Sequence, residues 1–227
     1  MRHAIHLMLA LGLLVPAGGT AVRAQAAADS TIYVVRYIEV APGSEAQGAV
    51  LAKKLADASR KEAGVVHFDV MQRTQPVNQF ATFEIWKDQA ALDTHTAGAH
   101  KQFLEAAQTI LIAPVDDRPC VSIDVAPASP PAGAVYAITH VDVAPPNTDP
   151  GIALLKTVAG PTRKEGGNLA FDALQQTARK NHFEVVEIWT DQKAEDAHEA
   201  GAATKDYRAK VQPLLGAHYD RRWYKSL

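Results

Sequence analysis

Two short clusters in this 227-residue chain hold side chains able to move a proton. Glu84 stands two residues before Trp86, and His95 follows nine residues later; Glu187, Trp189 and His198 repeat the spacing. In an extended strand, alternate residues share a face, which places Glu84 with Phe80, Thr82 and Trp86, opposite Ala81, Phe83 and Ile85. In the later cluster Phe183, Val185, Glu187 and Trp189 oppose Glu184, Val186 and Ile188. A carboxylate on so apolar a face is predicted to be partly desolvated, which strengthens it as a general base. On the helix that should follow, Ala91 and His95 share a face, as do Ala194 and His198. A histidine packed above the sheet can take or relay a proton near neutral pH. The plainer readings are a strand-end glutamate facing water or a lysine, and a satisfied core histidine.

Other chemistries lack their residues. Cys120 is the single cysteine, read as a buried filler, and no Cys pair or His-x-x-x-His spacing suggests a built metal site. His95 and His100 are five apart, on different faces of a helix, and His100 aligns with Ala203 in the later cluster. Neither a glycine-rich phosphate loop nor a Gly-x-Ser-x-Gly nucleophile motif is present. What remains is acid–base chemistry in an apolar pocket, with no cofactor and no metal.

The elements that must position these groups are written twice. Displaced by 103 residues, the sequence matches itself without a gap: Arg60-Lys61-Glu62 falls on Arg163-Lys164-Glu165, and Glu84-Ile85-Trp86 on Glu187-Ile188-Trp189. Residues 31–125 form the first copy, 134–227 the second, and the Pro/Ala-rich stretch 126–133 the linker. Each copy reads as a strand (32–40, 135–143), a helix (44–62, 148–165), two strands (66–73 and 78–86; 169–177 and 181–189), a helix and a last strand near 115–124 or 218–226. Gly64 and Gly167 are read as stops for the first helices, after basic last turns. Asp88 and Asp191 are N-caps for the second helices, which Gly98 and Gly201 interrupt before they run on to about Leu111 and Leu214. The order β-α-β-β-α-β is the ferredoxin-like split unit, an α+β fold. Its helices cover one sheet face, so the economical arrangement sets the two bare faces together within one chain. The alternative is two beads on a string.

Apolar residues make up 47% and charged residues 21%, enough for a real core. With 23 basic against 25 acidic residues, nucleic acid is not an expected partner. Residues 1–24 have the layout of a secretory signal: Arg2, the short apolar run Leu7 to Val15, then small residues around Val22 and Ala24. The run is too short to span a bilayer, so an exported, periplasmic or secreted protein without a membrane anchor is predicted.

The residues Phe68-Asp69, Gln72, Asn78-Gln79-Phe80, Glu84-Ile85-Trp86-Lys87-Asp88, Ala91, His95 and His100 resemble the antibiotic-biosynthesis monooxygenase-like (ABM) family of dimeric α+β barrels. The second copy resembles it through Phe171-Asp172, Gln175, Asn181, Phe183, Glu187, Trp189, Asp191 and His198. The resemblance implies tandem ferredoxin-like βαββαβ domains forming an intramolecular pseudo-dimeric barrel, hence a monomer, with a pocket between sheet and helices in each half. It also implies oxygenation of a small aromatic or quinol by base-promoted deprotonation and direct reaction with O₂. Glu84, His95, Glu187 and His198 would then be catalytic, and Phe68, Asn78, Trp86, His100, Phe171, Asn181 and Trp189 would bind substrate. The family's aromatic oxygenases have asparagine where this chain has Thr82 and Val185. Its haem-degrading branch uses an axial histidine where Glu105 and Arg208 stand. The rival readings are a non-catalytic exported barrel holding a small ligand, and a proton-transfer isomerase.

Overall fold

The computed structural model describes residues 30–126, 128 and 130–227. The signal-like segment 1–24 and the linker residues Pro127 and Ser129 lie outside them. The first copy consists of β1 (Ile32–Glu39), α1 (Glu45–Ser59), β2 (Val65–Arg73), β3 (Gln79–Trp86), α2 (Gln89–His95), a π-helical turn (Thr96–His100), α3 (Lys101–Ala107) and β4 (Asp116–Asp124). The second repeats it as β5 (Val135–Asp142), α4 (Thr148–Thr162), β6 (Asn168–Gln176), β7 (His182–Trp189), α5 (Gln192–Ala200), α6 (Ala202–Val211) and β8 (Asp220–Ser226).

The eight strands close a barrel in the order β1-β3-β2-β8-β5-β7-β6-β4. Each copy contributes four neighbouring strands, and the copies are sewn edge to edge. Met71 to Arg73 of β2 pair with Ser226 to Tyr224 of β8, and β4 pairs with β6 from Cys120↔Gln176 onward. The bare faces are covered as expected, but by the sheet curling on itself, because edge backbone groups also need partners. Thr31–Leu227 is one compact unit, which excludes separate beads.

Alternation divides the core into three layers. Val35, Met71, Ala81, Phe83, Tyr136, Ile138, Val186 and Tyr224 fill the barrel. Phe68, Phe80 and Trp86 pack beneath α1 and α3, while Phe171, Phe183 and Val185 lie beneath α4 and α6. Cys120 is buried in the barrel, its thiol pushed up by that burial. Arg60 and Arg163 begin the turns just after α1 and α4, and their Nε atoms donate to the carbonyls of Phe68 and Phe171. Gly64 and Gly167 therefore shape the approach to β2 and β6 rather than stopping the helices. Their φ values are +89° and +84°, and a Cβ there would lie 2.6 Å from the Cβ of Ala91 or 2.5 Å from that of Ala194.

The self-match is not gapless in three dimensions. Arg36 faces Asp117, whereas Thr139 faces Arg221, so the offset grows from 103 to 104 residues between the second helix and the last strand. The first copy spends this stretch in the π-helical turn, with Gly98 at a non-helical φ/ψ; the second breaks into an extended Gly201. His100 therefore corresponds to Thr204 rather than Ala203, and Arg208 to Leu104.

Near the start of β5, Tyr136 donates to Asp69 Oδ2 at 2.6 Å, tying the copies together, and His67 Nε2 lies 2.7 Å from the same oxygen. Asp172 is the counterpart of Asp69, but Ala170 stands where His67 does. Burial pushes the Asp172 carboxyl up to about 6, against the opposing pull of the Ala126 N–H and Arg163. A carboxyl raised on folding stabilises the native state below its unfolded value, about 3.9, and that contribution is lost as pH rises through 6. Asp172→Asn should therefore stabilise the protein at pH 7.5 by on the order of 1–2 kcal/mol and give almost nothing near pH 4. Thermal melts at the two pH values test this; an equal effect at both would contradict it.

Candidate active site

In the first half, β3 turns Thr82, Glu84 and Trp86 toward the helices. Glu84 is completely buried. Thr82 Oγ1 donates to its Oε1 at 2.7 Å and Trp86 Nε1 to its Oε2 at 2.9 Å. Arg36, on the neighbouring β1, brings its Nε within 2.9 Å of Glu84 Oε1, and its Nη1 lies 3.3 Å from Asp117. Glu84 is thus held by a cation and two neutral donors.

His95 reaches this carboxylate from the helix side. Asp88 caps α2 by accepting from the Ala91 N–H at 2.9 Å, which fixes where the helix starts and which face His95 presents. The imidazole stacks on Trp86 with 4.6 Å between centroids, and Phe68 meets it edge-on at 5.6 Å. Its Nε2 lies 3.7 Å from Glu84 Oε2, and its Nδ1 lies 2.7 Å from Glu62 Oε2. Glu62 is partly open to solvent. The sequence Glu84–His95–Glu62 therefore leads from a dry interior to the surface, a path along which a proton can leave. His100 lies 5.9 Å from His95, ring to ring, and 3.9 Å from Asp117. Burial, then Arg36 and His95, lower His100 to about 3, so it is neutral at physiological pH. Burial raises the Asp117 carboxyl.

The second half repeats the arrangement with its cation on another strand. His198 lies against Trp189 with 4.8 Å between centroids, its Nδ1 2.9 Å from Glu165 and its Nε2 3.3 Å from Glu187. Thr139 stands where Arg36 does, and Arg221 of β8 stands where Asp117 does. Arg221 grips both oxygens of Glu187, donates to Glu195 Oε1 at 3.0 Å and lies 3.1 Å from Glu199. Trp223 Nε1 also donates to Glu195, at 2.7 Å. Trp189 Nε1, unlike that of Trp86, has no hydrogen-bond partner among the described residues.

Of the residues singled out from sequence, Glu84, His95, His100, Trp86 and Phe68 come together in one half, and Glu187, His198, Trp189 and Phe171 in the other. Asn78 and Asn181 do not join them. Their side-chain amides donate to the carbonyls of Val40 and Val143, tying the turn before β3 or β7 to the end of β1 or β5. Sequence reasoning missed Arg36, Glu62 and Asp117, and Glu165, Glu195, Thr204 and Arg221. The repeated Arg-Lys-Glu at 60–62 and 163–165 was the available signal for the two outer glutamates, and the Arg36/Thr139 difference between the copies was the signal for Arg36; Arg221 had none.

The space beside these groups is tight. Glu187, His198, Thr204, Tyr207, Tyr219 and Arg221 border a cavity of about 10 Å³, at the lower limit for one water. A groove of about 380 Å³ lies across Val158 and Tyr207 from it, between α4 and α6. The corresponding groove of the first half, about 220 Å³, runs between α1 and α3 beside Phe103.

The sequence profile described as "Antibiotic biosynthesis monooxygenase" matches residues 31–108 and again 134–210, most of both halves. The chain belongs to this family. YcnE of Bacillus subtilis (strain 168), which carries a provisional monooxygenase name, is 34% identical over 86 residues, 37% of this chain and 90% of YcnE. Among solved structures, a Fusobacterium nucleatum protein with a similar provisional name superposes with a TM-score of 0.77 at 19% identity, covering 87% of this chain and 93% of its own. An anthrone oxidase-like protein gives 0.69 at 15% identity, covering 88% and 92%. At these identities the two structures share the fold; the ABM profile and YcnE support a monooxygenase in general terms.

In this ABM chain Arg221 is the cation for buried carboxylates, and removing it strands them. Arg221→Met should cost about 3–5 kcal/mol in urea unfolding, the scale for breaking a buried ion pair. A cost below about 1 kcal/mol would mean that those carboxylates do not depend on the guanidinium.

Proposed function

We propose that the protein is an exported, cofactor-independent monooxygenase that oxidises a small phenol or quinol, with its working site in the first half. The observation that carries this reading is His95, stacked on Trp86 and set between buried Glu84 and solvent-reaching Glu62. His95 removes the phenolic proton and passes it outward through Glu62. The anion then gives an electron to O₂, the resulting radicals combine into a ring peroxide anion, and a proton returned through His95 makes it the hydroperoxide. Loss of water leaves a quinone: a ring C–H becomes C=O, one oxygen atom stays in the product and the other departs as water. Excluding bulk water protects the hydroperoxide from side reactions, and Trp86 and Phe68 supply flat apolar walls for an aromatic ring.

The first half is favoured because two imidazoles, His95 and His100, meet beside Glu84 there, where the second half has His198 alone. Among the described residues, Trp189 Nε1, Tyr207 Oη and Arg221 Nε are buried without a hydrogen-bond partner in the second half, as are Arg36 Nη1, His95 Nε2 and His100 Nδ1 in the first. A substrate hydroxyl or an oxygen-centred anion would satisfy these atoms. The signal-like N-terminal sequence supports action outside the cytoplasm.

Oxygen consumption with a panel of naphthoquinols and anthrones should exceed the spontaneous rate. It should fall about 10²–10⁴-fold in His95→Ala, the range for losing a general base. His198→Ala should change it by less than about threefold, on the same scale. Ligand binding without oxygen uptake would instead indicate a binding barrel. Turnover under nitrogen would indicate an isomerase.

A further inference from the structure

We propose that His140, His182 and Asp142 form a binding site for one divalent transition-metal ion of the Zn²⁺ or Cu²⁺ kind, separate from the Glu–His clusters. One ligand atom from each of the three side chains falls within 4.8 Å of the others. His140 and Asp142 lie on β5, and His182 begins β7 directly opposite Asp142. The site is therefore assembled across strands between residues 42 apart in sequence, beyond the reach of any local ligand spacing.

The orientation of the rings favours a shared ion. His140 Nε2 and His182 Nδ1 lie 3.1 Å apart. Two nitrogens bound to one ion at about 2.0–2.1 Å would be separated by about 2.9–3.4 Å. His140 Nδ1 sits 2.9 Å from Glu184 Oε1. This arrangement places the proton on Nδ1 and the lone pair on Nε2, as in the carboxylate–histidine–metal triads that orient metal ligands. Glu184 is itself fixed by Tyr37, Arg118 and Gln176. Asp142 lies 3.5 Å from His182 Nε2, and Asn181 donates to its Oδ1 at 3.3 Å. All three side chains are partly exposed, so an ion can reach them.

Arg118 and Arg179 bring positive charge nearby. Arg118 is already engaged by Asp116 and Glu184, and Arg179 donates to Gln176. Two imidazoles and one carboxylate suit Zn²⁺, Cu²⁺ or Ni²⁺, whereas Mg²⁺ and Ca²⁺ want oxygen ligands. The first half has Tyr37, Glu39 and Gln79 at the corresponding positions, so the site belongs to the second half alone. It lies on β5 and β7 positions that alternate away from Glu187 or at the strand start, so binding does not depend on the proposed oxygenase reading.

The test uses tag-free full-length chain titrated with Zn²⁺ by calorimetry and with Co²⁺ by visible absorption. One ion per chain should bind at micromolar concentration, with no competition from millimolar Mg²⁺. His182→Gln, which installs the first half's residue, should weaken binding at least tenfold, while exposed His218→Gln leaves it unchanged. Should His182→Gln unfold, as read by circular dichroism, His140→Gln decides. Absence of binding below 1 mM, or equal binding by a folded His182 or His140 variant, overturns the site.

Discussion

A four-stranded sheet covered by helices on one side leaves a bare face and two unpaired edges, and everything else in this molecule follows from removing all three. The two copies meet at both edges, β2 with β8 and β4 with β6, so the sheet closes and the bare faces become the barrel interior. Closure supplies partners for backbone N–H and C=O groups that water would otherwise have to satisfy. It also excludes water from the inner side of β3 and β7. With helices on the outer side, those two strands are buried on both faces, which is why Glu84, Glu184 and Glu187 are all nearly or wholly inaccessible.

A buried carboxylate needs a cation or several donors, and the molecule meets that demand differently for each. Glu84 has Arg36 from β1; Glu187 has Arg221 from β8; Glu184 has Arg118, His140, Gln176 and Tyr37 inside the barrel. Arg36 and Asp117 are cross-strand neighbours, as are Thr139 and Arg221. The guanidinium has thus moved to the adjoining strand between copies without leaving its carboxylate. What survives in both halves is the histidine on its tryptophan between two glutamates. What differs is which strand supplies the cation and whether a second histidine, His100, stands beside the first.

Much of the fold was legible because its signals are local or repeated. Two-residue alternation in 78–86 sorted Phe80, Glu84 and Trp86 from Ala81 and Phe83 correctly, and Asp88 and Asp191 cap the helices they were expected to cap. The self-match revealed the pseudo-dimer. It misaligned α3 and α6 by one residue, because an insertion absorbed by a helix break leaves no mark in the flanking sequence. The resemblance placed Asn78 and Asn181 at the substrate, whereas strand ends with carbonyls in reach hold their amides.

The sequence by itself determined the element order, the duplication, the two faces of strands 78–86 and 181–189 and the presence of Glu84, His95, Glu187 and His198 on facing elements. These rest on periodicities of two and 3.6 residues and on capping chemistry, all decided within a few residues of chain. Only the tertiary structure decided which arginine meets which carboxylate, that Glu62 and Glu165 meet the two buried histidines, and that His140, Asp142 and His182 converge. Such pairings depend on strand register across the barrel, where residues tens of positions apart lie a few ångströms from one another and a one-residue slip changes every partner.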